Sequence, residues 1–316
     1  MCKIIRKGRL KIMDEMLISK IEKELNDAVY TTIREFSDLK INVEVKLVGN
    51  IEINAGVGKI REKNKTYRIE INTGVIDTLR SSLVDKYMRN VEEDDFLYYQ
   101  FAEDGALFRY FDDSSLKNSF MNCMAKFIEY NILFHECAHI LLGHSDTGGK
   151  NIIEKNTAID GKKGYGHQAR EFMADWYGIK KAMTVFTFSF AKCSKFSLYN
   201  NEDLLLFRKI FVVCFLALFC QFDIFEETQI YKEMSAKTNK DKTGIFLDEF
   251  SESKLKMRTH PHPYVRLNYG LDALKEAMMD VMQIHNSVDS DTSENIVNKL
   301  LEVSLGDVFV FLKKWD

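Results

Sequence analysis

The stretch Asn131-Ile-Leu-Phe-His-Glu-Cys-Ala-His-Ile-Leu-Leu-Gly-His144 divides into two faces when wound as a helix of about 3.6 residues per turn. Leu133, Cys137, Ile140 and Leu141 recur at i, i+4, i+7 and i+8, the apolar stripe of a helix packed into a core. His135 and His139 fall one turn apart on the other side, where both imidazoles can reach one metal ion. Glu136 then stands ready to act as a base on a water that the ion polarises. The competing reading is a buried helix with two structural histidines, and it weakens with each further donor that the chain supplies.

A catalytic zinc site usually takes three protein ligands and keeps one position open, so a third donor is required. The extended pattern with a third histidine needs Gly at 142 and His at 145, but Leu142 and Ser145 occupy those positions, and Gly143 and His144 are out of register. Glu171-Phe-Met-Ala-Asp175, 32 residues beyond His139, is the better source. Glu171 and Asp175 share one face of a second helix, and Gly178 continues that face, where a missing side chain lets two helices approach closely. Glu171 is expected to ligate the metal, and Asp175 to accept the second N–H of a ligand imidazole. Two solvent-facing acids on an amphipathic helix are the alternative. His144 is expected to cap its helix or to stand behind the ligands rather than to join them.

Three ordered motifs now stand together: His135-Glu-x-x-His139-x-x-x-Gly-His144, Glu171-x-x-Ala-Asp175, and Thr259-His260-Pro261 followed by Arg266. They resemble the gluzincin metallopeptidases, especially the group that includes the CAAX prenyl endopeptidase and the HtpX heat-shock protease. The resemblance covers roughly residues 125 to 270. It implies zinc held by His135, His139 and Glu171, Glu136 as catalytic base, and the His-Pro segment near the active site. Those proteases are integral membrane proteins, and their long spanning segments have no counterpart in this reading. The layout, with a mixed N-terminal part and an HExxH near the middle, is also similar to the Lit-type phage-exclusion peptidases, which cleave a translation elongation factor.

Thr259-His-Pro-His-Pro263 contains both prolines of the chain. Proline fixes its own φ and restricts its predecessor, so His260 and His262 sit on a stiff, extended stretch. His260 is assigned to the developing oxyanion, Arg266 to orienting it or binding a carboxylate, and His262 is the weaker candidate. A rigid connector before a helix is the alternative, with Pro263 suited to the first turn.

The whole chain limits the classes to consider. Its 316 residues, 46% hydrophobic and 29% charged, are those of a globular protein. A net charge of -3 and a pI near 6.2 provide no basic field for nucleic acid, so a protein or peptide is the expected partner. Six cysteines without paired spacing read as free thiols in a reducing compartment, the cytoplasm, and no apolar segment follows the basic N-terminus to form a signal peptide. Cys137 lies on the apolar face, which argues against a nucleophile. The apolar run Ile210 to Cys220 has 11 residues, fewer than the roughly 20 of a spanning helix, and extending it takes in Arg208, Lys209, Gln221 and Asp223. It reads as a core helix.

The expected fold is α+β and mostly helical, zincin-like, with a small antiparallel sheet in the N-terminal part. Residues 12 to 38 and 75 to 89 have helical spacing. Ile41 to Val48 and Tyr67 to Asn72 alternate as strands, with a third at Ile51 to Ile60. The polar, glycine-rich segment 145 to 167 reads as a loop, able to gate the site. Helices are expected at 168 to 181, 204 to 231, 263 to 285 and 293 to 312. The division is 1 to 110, a helix and sheet within the catalytic unit; 111 to 285, the zinc-binding core; and 286 to 316, a C-terminal helix. The expected activity is zinc-dependent endopeptidase, with the substrate backbone paired to the strand at Tyr67 to Asn72. The rival is a catalytically silent, metal-stabilised binding protein that grips a partner through Phe207 to Phe225.

Overall fold

The computed structural model describes residues 15–50, 54–61, 65–92, 116–144, 161–190, 201–236, 263–286 and 290–315. Helix α1 (Glu15–Arg34) buries Ile21, Leu25 and Val29, spaced four apart as its pattern requires. Strands β1 (Asn42–Val48), β2 (Ala55–Arg61) and β3 (Thr66–Asn72) follow, then α2 (Thr73–Ser82) and a short π-helical turn at Leu83–Tyr87. The remaining elements are α3 (Leu116–Leu141), α4 (Gly161–Phe190), α5 (Asn201–Ala236), α6 (Pro263–Asn286) and α7 (Ser290–Trp315). The mostly helical α+β class is as expected.

The sheet departs from the expectation in its pairing. Its order is β1-β3-β2: β2 and β3 form an antiparallel pair, but β1 runs parallel to β3. Alternation reports which face of a strand is buried and says nothing of its direction, so the antiparallel reading of the whole sheet was not physically decidable. Because β3 is central, its two edges are occupied, and the expected pairing of a substrate with Tyr67 to Asn72 is overturned. The outer edge of β1 is covered as well. Asn26 of α1 donates to the Val45 carbonyl at 2.9 Å and accepts from its N–H at 2.8 Å, while Glu22 accepts from the Leu47 N–H at 2.9 Å. Side chains of one helix thereby satisfy an edge that would otherwise invite pairing.

Two helices also differ in extent. α4 begins at Gly161 and runs to Phe190, so residues 161 to 167 of the expected loop are helical; 145 to 160 lie outside the described residues. Glycines at 161, 164 and 166 read as breakers, since each costs about 1 kcal/mol in a helix interior, and that local cost is overridden here.

One apolar core runs from Ile21 of α1 to Phe311 of α7 and joins all three expected parts of the chain. α3 lies at its centre, against β2, β3, α4 and α5, with α6 packed on α4 and α5. Leu133, Phe134, Cys137 and Ile140 are buried, as the apolar stripe predicts. Buried charge ties the middle of α3 to its neighbours: Lys126 pairs with Glu24 of α1, and Glu129 with Arg80 of α2 at 2.8 Å. The stretch Leu204–Phe225 of α5, 22 residues, is long and apolar enough by length and composition to cross a membrane, and 61% of it is buried within the fold. Arg208 in this stretch is held by Asp307 of α7 at 2.7 and 2.8 Å.

α3 and α4 approach closely at Gly178. A Cβ there would stand 2.9 Å from the His135 backbone nitrogen, 3.1 Å from its Cα and 3.2 Å from the Asn131 carbonyl oxygen. All three neighbours are backbone atoms that cannot swing aside. Gly178→Ala is therefore expected to push the helices apart at a cost of about 1–3 kcal/mol. Chemical denaturation should record the loss of stability.

Candidate metal centre

The close packing of α3 on α4 sets one face of each helix against the other. His135 and His139 of α3 project toward Glu171 of α4. The two Nε2 atoms are 3.2 Å apart, His135 Nε2 is 3.3 Å from Glu171 Oε2, and His139 Nε2 is 3.5 Å from Glu171 Oε1. The rings stand nearly perpendicular, at 84°. Glu171 is buried, and the histidines are partly so. Glu136, also nearly buried, follows His135 on α3.

Behind His135 lies a second layer. Asp175 Oδ1 is 2.8 Å from His135 Nδ1, the expected placement one turn beyond Glu171. Arg266, near the start of α6, grips the same carboxylate with two bonds, Nε to Oδ2 at 2.7 Å and Nη2 to Oδ1 at 2.5 Å. Tyr269 donates its hydroxyl to Oδ2 at 2.6 Å. Arg266 also lies 4.9 Å above the Phe222 ring, and Phe172 packs edge-on against Tyr269 at 4.6 Å. Charge-assisted paired bonds of this kind are among the strongest that proteins use to orient a group.

Electrostatics follow from this arrangement. Burial works against charge on Asp175, but Arg266 and then His135 hold its carboxyl far below the usual range. Burial likewise opposes charge on His135, yet hydrogen bonds and charge from Asp175 and Glu171 raise its pKa to about 10. Burial pushes the Cys137 thiol upward, which agrees with an inert apolar-face residue.

These contacts determine what the cluster can hold. Asp175 Oδ1 stands 2.8 Å from His135 Nδ1, and His135 turns its Nε2 toward the Nε2 of His139, 3.2 Å away. Lone pairs at such spacing repel unless a proton or a cation lies between them. His135, His139 and Glu171 offer donor atoms all within 4.8 Å of one another, a group that could hold a metal ion.

The sequence expectations separate accordingly. His135, His139 and Glu171 converge, and Asp175 stands behind His135. Arg266 binds the carboxylate of Asp175, and its other expected role, orienting His260, falls on residues outside those described. His260 and His262 lie outside the described residues. His144 is not among the three donors but meets His139, Nδ1 to Nδ1, at 3.1 Å. Tyr269 went unread because it belongs to no motif; its only signal is the i, i+3 spacing from Arg266 on α6. No protein-family profile, curated protein or solved structure matches the chain.

Asp175→Asn removes the anion that three donors share. It should destabilise the fold by about 3–5 kcal/mol, as a buried ion pair broken on one side does. Metal affinity should fall about 10–100-fold, readable by chelator competition. Since a pKa near 10 leaves the metal-free His135 protonated at neutral pH, binding must displace that proton. Affinity should thus rise with pH up to that value, and calorimetry in buffers of different ionisation enthalpy should count about one proton released per ion.

Proposed function

We propose that the chain is a zinc-dependent endopeptidase that hydrolyses peptide bonds of a protein substrate. The observation that carries the reading is the spacing of the three donors on two helices. Ligands arranged tetrahedrally about 2.0–2.1 Å from a zinc lie about 3.3–3.4 Å from one another. The imidazole nitrogens are 3.2 Å apart, and the two carboxylate oxygens of Glu171 each face one of them, Oε2 at 3.3 Å from His135 and Oε1 at 3.5 Å from His139. Two imidazoles and one carboxylate also favour zinc over calcium or magnesium, which prefer all-oxygen shells. Bound there, zinc supplies Lewis acidity, making a water more acidic and polarising a carbonyl.

The chain's own residues do the rest. Glu136 takes the proton of the attacking water and passes it to the leaving amine nitrogen, which requires its carboxylate to cycle between charged and neutral forms. Asp175, held by Arg266 and Tyr269, keeps the proton of His135 on Nδ1 and its Nε2 directed at the metal. His260 is proposed to steady the oxyanion; it precedes α6, whose residue Arg266 reaches the centre. Among the described residues, the edge of β1 is covered by α1 and β3 is internal, so β2 is the strand proposed to pair with an extended substrate, and it packs against α3. Buried free thiols at Cys123, Cys137, Cys214 and Cys220 fit a substrate and protease sharing a reducing compartment.

Glu136→Gln should abolish cleavage while leaving zinc stoichiometry unchanged, whereas His139→Ala should lose both. The comparison is a proteome-wide search for new N-termini after expressing the intact protein beside its Glu136→Gln form. Undiminished cleavage by the Gln variant would refute the assignment.

A further inference from the structure

His135 and His139 are supported in different ways. The first has a buried carboxylate with two further donors behind it. The second has a neighbour of another kind: His144, with its Nδ1 3.1 Å from the His139 Nδ1 and ring centroids 5.3 Å apart at 55°. Helical continuation could not make this contact, because five residues at about 100° each would put position 144 about 140° around the axis from 139. The chain instead leaves the helix. Leu142 still donates to the Ala138 carbonyl at 2.8 Å, Gly143 donates to Ile140 at 3.1 Å, and Gly143 adopts φ +70°. A left-handed residue at this position is the usual way a helix stops, and it sends the next residue back toward the last turn. A Cβ on Gly143 would meet nothing within 4 Å. Space does not call for glycine there; backbone conformation does.

We propose that His144 is the positioning residue for His139, an imidazole accepting the His139 Nδ1–H so that Nε2 keeps its lone pair for the metal, with Gly143 as the turn that delivers it. The chemistry is a tautomer constraint. A ligand imidazole must be unprotonated at the coordinating nitrogen, so His139 carries its proton on Nδ1 and needs an acceptor there. At 3.1 Å the Nδ1 of His144 fills that need if its own proton resides on Nε2. An imidazole is a weaker acceptor than the ionised carboxylate behind His135. His139 is therefore the more loosely held of the two nitrogen ligands, and the metal's retention is graded through residue 144.

The inference rests on the metal reading but not on proteolysis, so its test uses metal uptake by the full chain. Zn2+ affinity is measured against a chromophoric chelator, and the visible spectrum of the Co2+-loaded protein reports the ligand field. His144→Ala should bind about 10–100-fold more weakly with an altered Co2+ spectrum, while circular dichroism stays that of the parent. His144→Asn, whose side-chain oxygen can stand near the lost Nδ1, should recover most of the affinity. Gly143→Asn tolerates left-handed backbone and should bind nearly as the parent does, whereas Gly143→Val, β-branched, should not. Parental affinity and spectrum in His144→Ala, or equal affinity in the two Gly143 variants, would overturn the proposal while leaving the endopeptidase reading standing. A parent chain that takes up neither metal would sink both.

Discussion

Everything at the centre depends on how closely α3 and α4 can approach. The helices meet where Gly178 lies against the backbone of His135, with no room for even a methyl group. Glu171 and Asp175 are seven and three residues earlier on α4, so they share the face that this contact presses against α3. Short separation lets the short side chain of Asp175 reach His135 Nδ1, and lets the carboxylate of Glu171 span both imidazoles. A wider gap would leave the same residues unable to meet.

That approach concentrates charge in a place where charge is costly. Asp175, Glu171 and Arg266 are all buried, and each isolated charge would carry a large desolvation penalty. The arrangement offsets it by pairing. Arg266 engages both oxygens of Asp175, Tyr269 adds a neutral donor, and His135 takes the remaining approach. In such a network every member is partnered by another, and groups held this way are suited to aim the donors of a candidate metal site. α6 is thereby tied to α4 through the site itself, so the part of the chain that follows the His-Pro segment is anchored one helical turn from where it begins.

Much of this was legible beforehand, and for identifiable reasons. Ligand spacing of i, i+4 translates directly into a shared helix face, so His135 with His139, and Glu171 with Asp175, could be paired by arithmetic. Gly178 could be recognised as a contact point from its place on that face. Tyr269 could not, since a tyrosine three residues after an arginine is common on any helix and only its distance to Asp175 gives it a role. Strand direction was equally hidden: β1 and β3 alternate alike whether they run together or opposed. α4 begins earlier than its glycines implied, since propensity sets only a local cost and does not by itself fix where a helix starts.

The sequence by itself determined which residues are chemically able to act, which helix faces carry them, and that the fold is helical with a small sheet, because those properties follow from side-chain chemistry and short periodicities. Only the tertiary structure decided that two faces 32 residues apart meet, that Arg266 serves Asp175, that His144 turns back upon His139, and which strand is central in the sheet. Those facts are distances between segments remote in sequence, set by the packing of the whole core, and no local pattern encodes them.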